Sequence, residues 1–117
     1  MNFRQLPQVD AVAVPADAFL LDVREDDEWA AGHAEGALHI PIGQVVARFG
    51  ELTEAVGDDR TVHVVCRVGG RSAQVTQYLI AQGLDAVNVD GGMLAWEAAG
   101  RPLVHGPGTR SDAPYVL

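Results

Sequence analysis

Short aliphatic runs alternate along this chain with stretches in helical spacing. Val9, Val12 and Val14 are interleaved with Asp10 and Ala13 and stopped by Pro15, which predicts a first strand at a sheet edge. Phe19-Leu20-Leu21-Asp22-Val23 is nearly continuous in apolar character, the pattern of a central parallel strand covered on both faces. Glu25 to Ala31 puts acids ahead of good helix formers and ends at Gly32, predicting a short helix. Leu38 to Ile40 reads as a short strand stopped by Pro41, and Ile42, Val45, Val46 and Phe49 then predict a helix reaching Gly50. After a turn at Gly57-Asp58-Asp59-Arg60, Val62 to Val65 is β-branched enough for a buried strand. From Ser72 onward, Ala73, Thr76, Ile80 and Leu84, with Val75 and Leu79 beside them, predict a helix with one buried side ending near Gly83. Ala86 to Val89 is a further strand, Asp90-Gly91-Gly92 its turn, and Met93 to about Ala99 a last helix. Trp29 and Trp96 read as core anchors.

Strands alternating with helices at this spacing predict an α/β fold, a small three-layer domain with a mainly parallel central sheet and helices on both faces. A chain of 117 residues has room for one hydrophobic core, placed here at residues 1–104, with residues 105–117 as a C-terminal tail. Gly106 to Pro114 in that tail reads as mobile or loosely packed.

The formal net charge of −8 argues against a general nucleic-acid or anionic-membrane surface. The N-terminus lacks a signal peptide's apolar region and no stretch is long enough to span a membrane, so a cytoplasmic location is expected. One cysteine permits no intrachain disulfide, no Cys-x-x-Cys pair and no thiolate zinc cluster. His33 and His39 fit no single helix face and have no cysteine or paired acid with them, so they read as structural or surface histidines and no metal is expected.

The chemistry concentrates at that cysteine. Cys66 ends the Val62–Val65 strand, where loops of open α/β sheets lead into helix N-termini that attract anions. Gly69 and Gly70 allow the backbone from Arg67 to Ser72 to turn its N–H groups inward, and Arg67 and Arg71 add positive charge; both effects favour thiolate. A structural cysteine is the alternative, but two arginines and two glycines beside a core thiol have no packing rationale. His63 lies three residues back, on the opposite strand face, and is a poor base for Cys66. Asp22 needs a partner in its apolar strand; it reads as a brace for an arginine or for N–H groups near the Cys66 loop, or else as a strand-end turn residue. Arg24 reads as a similar brace or as a solvated charge.

Cys66-Arg67-Val68-Gly69-Gly70-Arg71-Ser72 resembles the active-site loop of rhodanese-family sulfurtransferases. Leu20 to Arg24, Gly32 to Pro41 and Gly91 to Trp96 resemble three further signatures of the family, in the family's order. The resemblance implies a single rhodanese domain in which Cys66 carries sulfur as a persulfide and the loop from Arg67 to Ser72 binds the donor. It implies a small anionic sulfur donor, such as thiosulfate, and an external acceptor: a thiol, cyanide or a thiol-bearing protein. No cofactor is implied. With no second cysteine to resolve the intermediate, the acceptor must come from outside and ping-pong kinetics are expected. Cysteine phosphatases and arsenate reductases also use a cysteine-arginine loop, but theirs has five intervening residues against four here, and a phosphoryl group needs the wider cradle. A non-catalytic binding or regulatory module is the other alternative, and the intact Cys66, Arg67 and Arg71 argue against it. Val68 stands where related loops often carry a small polar residue, so weaker thiosulfate binding or a preference for another persulfide donor is expected.

Overall fold

The computed structural model of the chain describes residues 6–105 and 113–117. Among these, five strands form one sheet: β1 (Gln8–Asp10), β2 (Phe19–Asp22), β3 (Leu38–His39), β4 (Val62–Val65) and β5 (Ala86–Asp90). Their spatial order is β1-β5-β4-β2-β3 and every pairing is parallel. The helices are α1 (Asp26–Ala31), α2 (Phe49–Val56), α3 (Gly70–Ala81) and α4 (Gly92–Ala98), with 3-10 turns at Ala11–Ala13 and Ile42–Gln44. The architecture is the α/β one expected, with β1 at an edge and β2 and β4 paired in the centre.

Period-2 alternation divides the interior into two layers. Leu21, Val62, Val64 and Cys66 face one side, packed with Leu52 and Val56 of α2 and Val75 and Leu79 of α3. Leu20, Val65 and Val89 face the other, packed with Met93 and Trp96 of α4. β4 is buried at all four positions because both layers cover it.

Four elements depart from the sequence pattern. The first strand stops at Asp10, and the chain from Ala11 to Ala13, predicted to continue it, makes a 3-10 turn that buries Ala11. No helix spans Ile42 to Gly50. After Pro41 the chain makes a single 3-10 turn, Val46 is exposed, and α2 begins only at Phe49, where Leu52 and Val56 bury its inner side. On α3 the buried stripe runs through Ser72, Val75, Thr76 and Leu79, whereas Ile80 faces solvent. Trp29 joins neither apolar cluster. Its half-buried indole is stacked between His33, at 3.4 Å between ring centroids, and His39, at 4.6 Å. The two histidines are structural here: His33 Nδ1 meets the Trp29 carbonyl at 2.8 Å and His39 Nε2 meets the Arg24 carbonyl at 2.7 Å. Trp96 is a core residue and donates its indole N–H to Pro102.

The expectation of a loose tail falls largely on residues 106–112, which lie outside the described residues. Residues 113–117 pack back onto the domain: Tyr115 N–H donates to Ala31, Val116 N–H to the Glu97 carboxylate, and the Val116 side chain enters the α4 layer. This return explains Gly32. Its backbone is extended and open to any residue, but a Cβ there would run into the Tyr115 backbone.

Gly32→Ala is therefore expected to destabilise the fold by about 1–3 kcal/mol, as overpacking does. It should also make the last five residues a better carboxypeptidase substrate. Gly43→Ala, which meets nothing within 4 Å, serves as the control and should change neither. Equal digestion rates for the two variants would contradict this docking.

Candidate active site

Cys66 follows β4 directly, and its residue is 1% exposed. The chain then doubles back through Gly69, whose φ of +110° is in the left-handed region that favours glycine, and enters α3. That turn brings the Gly69 N–H to 3.1 Å and the Ser72 hydroxyl to 3.2 Å from the Cys66 sulfur. The outward side of the loop is held by α4. Met93 N–H donates to the Cys66 carbonyl at 2.8 Å and Leu94 N–H to the Arg67 carbonyl at 3.1 Å, using donors that the start of a helix leaves free. A Cβ on Gly92 would collide with these same carbonyls. In a planar trans peptide the N–H points opposite to the carbonyl, so tying these two carbonyls to α4 turns the Arg67 and Val68 N–H groups the other way.

Burial pushes the Cys66 thiol toward its neutral form. The Ser72 hydroxyl and the N–H groups of Ser72, Gly69 and Val68 outweigh it, and the pKa falls below the ordinary value of 9.0. The thiolate is thus favoured by oriented hydroxyl and peptide dipoles. His63 lies on the opposite face of β4, the one Val65 shares, and no base touches the sulfur among the described residues.

The two loop arginines occupy different situations. Arg71 makes a paired contact with Glu28 of α1, at 2.7 and 2.9 Å. The Arg71 hydrogen bonds, opposed by partial burial, hold the Glu28 carboxyl down at about 2, and Glu28 in turn raises Arg71. Arg71 is therefore neutralised across the loop, fastening it to α1. Arg67 is exposed at the rim, with its Nε donating to the Leu117 backbone oxygen at 3.0 Å. Val68 is 56% exposed beside it.

Asp22 and Arg24 are fully buried at the end of β2 and pair with each other. Arg24 Nε and Nη2 both reach the Asp22 carboxylate, at 2.8 to 3.1 Å. The remaining contact of Nη2 is the Gly32 carbonyl at the end of α1, 2.8 Å away. Among the described residues the structure brings neither of them to Arg67 or Arg71. Arg24 touches the end of α1, whose Glu28 holds Arg71, and Asp22 lies in register with Val65, the residue before Cys66. The sequence pattern does not single out Glu28, which looks like an ordinary helix-start acid 43 positions from its partner. Nor does it single out Asn88, whose amide donates to the Gly69 carbonyl at 3.2 Å. A polar residue inside an apolar strand is the available signal for it.

The family model for the rhodanese-like domain matches residues 8–99. The chain is 39% identical over 93 residues to YtwF of Bacillus subtilis (strain 168), which carries a provisional sulfurtransferase name; the match covers 80% of this chain and 86% of that protein. It is 38% identical over 89 residues to a protein named sulfurtransferase from Allochromatium vinosum, covering 75% of this chain and 79% of that one. Among solved structures it resembles the thiosulfate sulfurtransferase of Pseudomonas aeruginosa, with a TM-score of 0.75 and 29% identity. That match covers 91% of this chain but 22% of the larger protein.

The Glu28–Arg71 pair sets a pH dependence. A carboxyl whose pKa is lowered on folding adds stability above its ordinary value of 4.5, and that stability is lost as pH falls toward about 2. Arg71 is about a third exposed, so solvent screens the pair and its contribution is on the order of 1 kcal/mol. Urea unfolding of Glu28→Gln at a series of pH values is expected to show lower stability at pH 7 and a flatter acid slope than the unsubstituted protein. Parallel slopes would contradict the pairing.

Proposed function

This chain belongs to the rhodanese-like domain family, and from that premise we propose that it is a sulfurtransferase that carries sulfane sulfur on Cys66. Its relatives bear sulfurtransferase names, and the observation that carries the finer reading is the Cys66 sulfur itself. It is buried against two hydrogen-bond donors, at 3.1 and 3.2 Å, with no base beside it among the described residues. Such a site suits a nucleophile that is already anionic and attacks sulfur, where no proton has to be removed.

With thiosulfate as donor, the Cys66 thiolate attacks the outer sulfur, the sulfur–sulfur bond of the donor breaks with its electron pair leaving on sulfite, and Cys66 persulfide anion remains. An acceptor thiolate then attacks the terminal persulfide sulfur, carries it away as a new persulfide and restores the Cys66 thiolate. Cyanide as acceptor gives thiocyanate by the same displacement. In both steps one sulfur–sulfur bond breaks for each new bond to sulfur, and charge is conserved. The turned N–H groups of the loop hold the negative charge on the second sulfur as they hold it on the first. Arg67 at the rim attracts the anionic donor, while Arg71, bound to Glu28, keeps the loop in place. The exposed Val68 makes the rim apolar, which favours a larger thiol persulfide over thiosulfate.

Four residues lie between Cys66 and Arg71, and this short turn supports sulfur over phosphate or arsenate as the transferred centre. A sulfur atom needs fewer converging N–H groups than a tetrahedral oxyanion.

Intact-mass spectrometry after brief incubation with thiosulfate or a thiol persulfide tests the reading. The protein is expected to gain the mass of one sulfur atom, lose it on addition of cyanide, and gain nothing as Cys66→Ser. Absence of any gain with either donor would overturn it and direct attention to phosphate and arsenate substrates.

A further inference from the structure

Asn88 is the polar residue in the middle of β5, and its side chain is buried, the residue being 1% exposed. Nδ2 donates to the Gly69 carbonyl at 3.2 Å and to Gln8 Oε1 at 3.0 Å. A carbonyl can only accept, so Nδ2 and not Oδ1 faces the loop. Oδ1 is left with no hydrogen-bond partner among the described residues. A buried, unpaired amide oxygen costs free energy that a valine or leucine in the same strand would not, so the position of Nδ2 is what this residue contributes.

Nδ2 acts at the glycine whose N–H donates to the Cys66 sulfur. Gly69 sits at φ +110°, and its carbonyl accepts from two sides: the Ala73 N–H, 3.1 Å away in the first turn of α3, and Asn88. The helix bond fixes the carbonyl relative to α3. Among the described residues, only the Asn88 bond fixes it relative to the sheet from which Cys66 emerges. The carbonyls of Cys66 and Arg67 are held by backbone N–H groups of α4, and Asn88 holds a third loop carbonyl, that of Gly69, with a side chain. Because the Gly69–Gly70 peptide is planar and trans, a carbonyl held on Asn88 points the Gly70 N–H away from β5.

We propose that Asn88 is a positioning residue: its amide holds Gly69 so that the Gly69 N–H stays on the Cys66 sulfur and the Gly70 N–H is turned toward the space where a second sulfur is carried. The role of the Gly70 N–H rests on the sulfurtransferase reading given above. The effect on the Cys66 thiolate does not, which separates the two in a test.

The test compares Asn88→Leu and Asn88→Asp with Gln8→Ala, which removes the other acceptor of Nδ2 and leaves the loop bond. The pH midpoint of Cys66 alkylation by iodoacetamide, a reaction that needs no sulfur donor, is expected to rise by about half a pH unit to one in both Asn88 variants, on the scale of one hydrogen bond lost. It should be unchanged in Gln8→Ala. Sulfur transfer should fall about threefold to tenfold in kcat/KM, through kcat, with the donor KM little changed. Asn88→Asp keeps the size of the side chain and serves if Asn88→Leu does not fold. A lowered melting temperature with an unchanged alkylation midpoint would overturn the proposal and make Asn88 merely structural. If the midpoint moves as expected but no variant, nor the unsubstituted protein, takes up sulfur, the positioning stands and the sulfurtransferase reading fails.

Discussion

The contact between the first turn of α4 and the carbonyls of Cys66 and Arg67 is the constraint on which the site depends. Backbone after a buried strand has donors and acceptors that must both be satisfied. Here the acceptors are taken by Met93 and Leu94, so the donors are left to face the sulfur. Gly92 allows α4 to approach that closely, Gly69 allows the chain to double back, and β4 delivers Cys66 to the meeting point. The thiolate is stabilised by a backbone shape that the rest of the fold enforces.

Charge in the site is arranged in closed pairs. Asp22 and Arg24 neutralise one another with no exposure to water, and Arg24 also holds the Gly32 carbonyl at the end of α1. From the same helix Glu28 reaches Arg71. A series of contacts therefore runs from the buried end of β2 through α1 to the loop. Buried pairs of this kind contribute little net stability compared with apolar residues of the same shape, but removing one partner is costly, so they favour one arrangement strongly. Within a chain of net charge −8, Arg67 is the loop cation left at the surface, held by a backbone oxygen and by no carboxylate side chain among the described residues.

Much of this arrangement is legible in the amino-acid pattern. The β-branched run ahead of Cys66 marks β4, the glycines mark the turn, and the apolar run through Leu21 marks a central strand, because burial on both faces leaves a direct trace in sequence. The stretch after Pro41 misleads because Val45 and Val46 are adjacent and both apolar; only packing decides that Val45 is buried and Val46 is not. Glu28 is hidden by distance along the chain and by its resemblance to a helix-start acid. Gly32 ends α1, as its place in the sequence suggests, but nothing local shows that its smallness also makes room for the backbone of Tyr115. Asn88 resembles Asp22, a polar residue in an apolar strand, yet nothing local shows which carbonyl its amide meets. Sequence patterns report burial well and report partners poorly.

The central claim is that oriented N–H groups and the Ser72 hydroxyl, with no base at the sulfur among the described residues, favour the thiolate of Cys66. Its most direct test is the rate of Cys66 alkylation across pH in the unsubstituted protein and in Ser72→Ala. The predicted midpoint lies below that of an unperturbed cysteine thiol and moves upward when the Ser72 hydroxyl is removed. A midpoint at or above that of a free thiol, unmoved by Ser72→Ala, would contradict it.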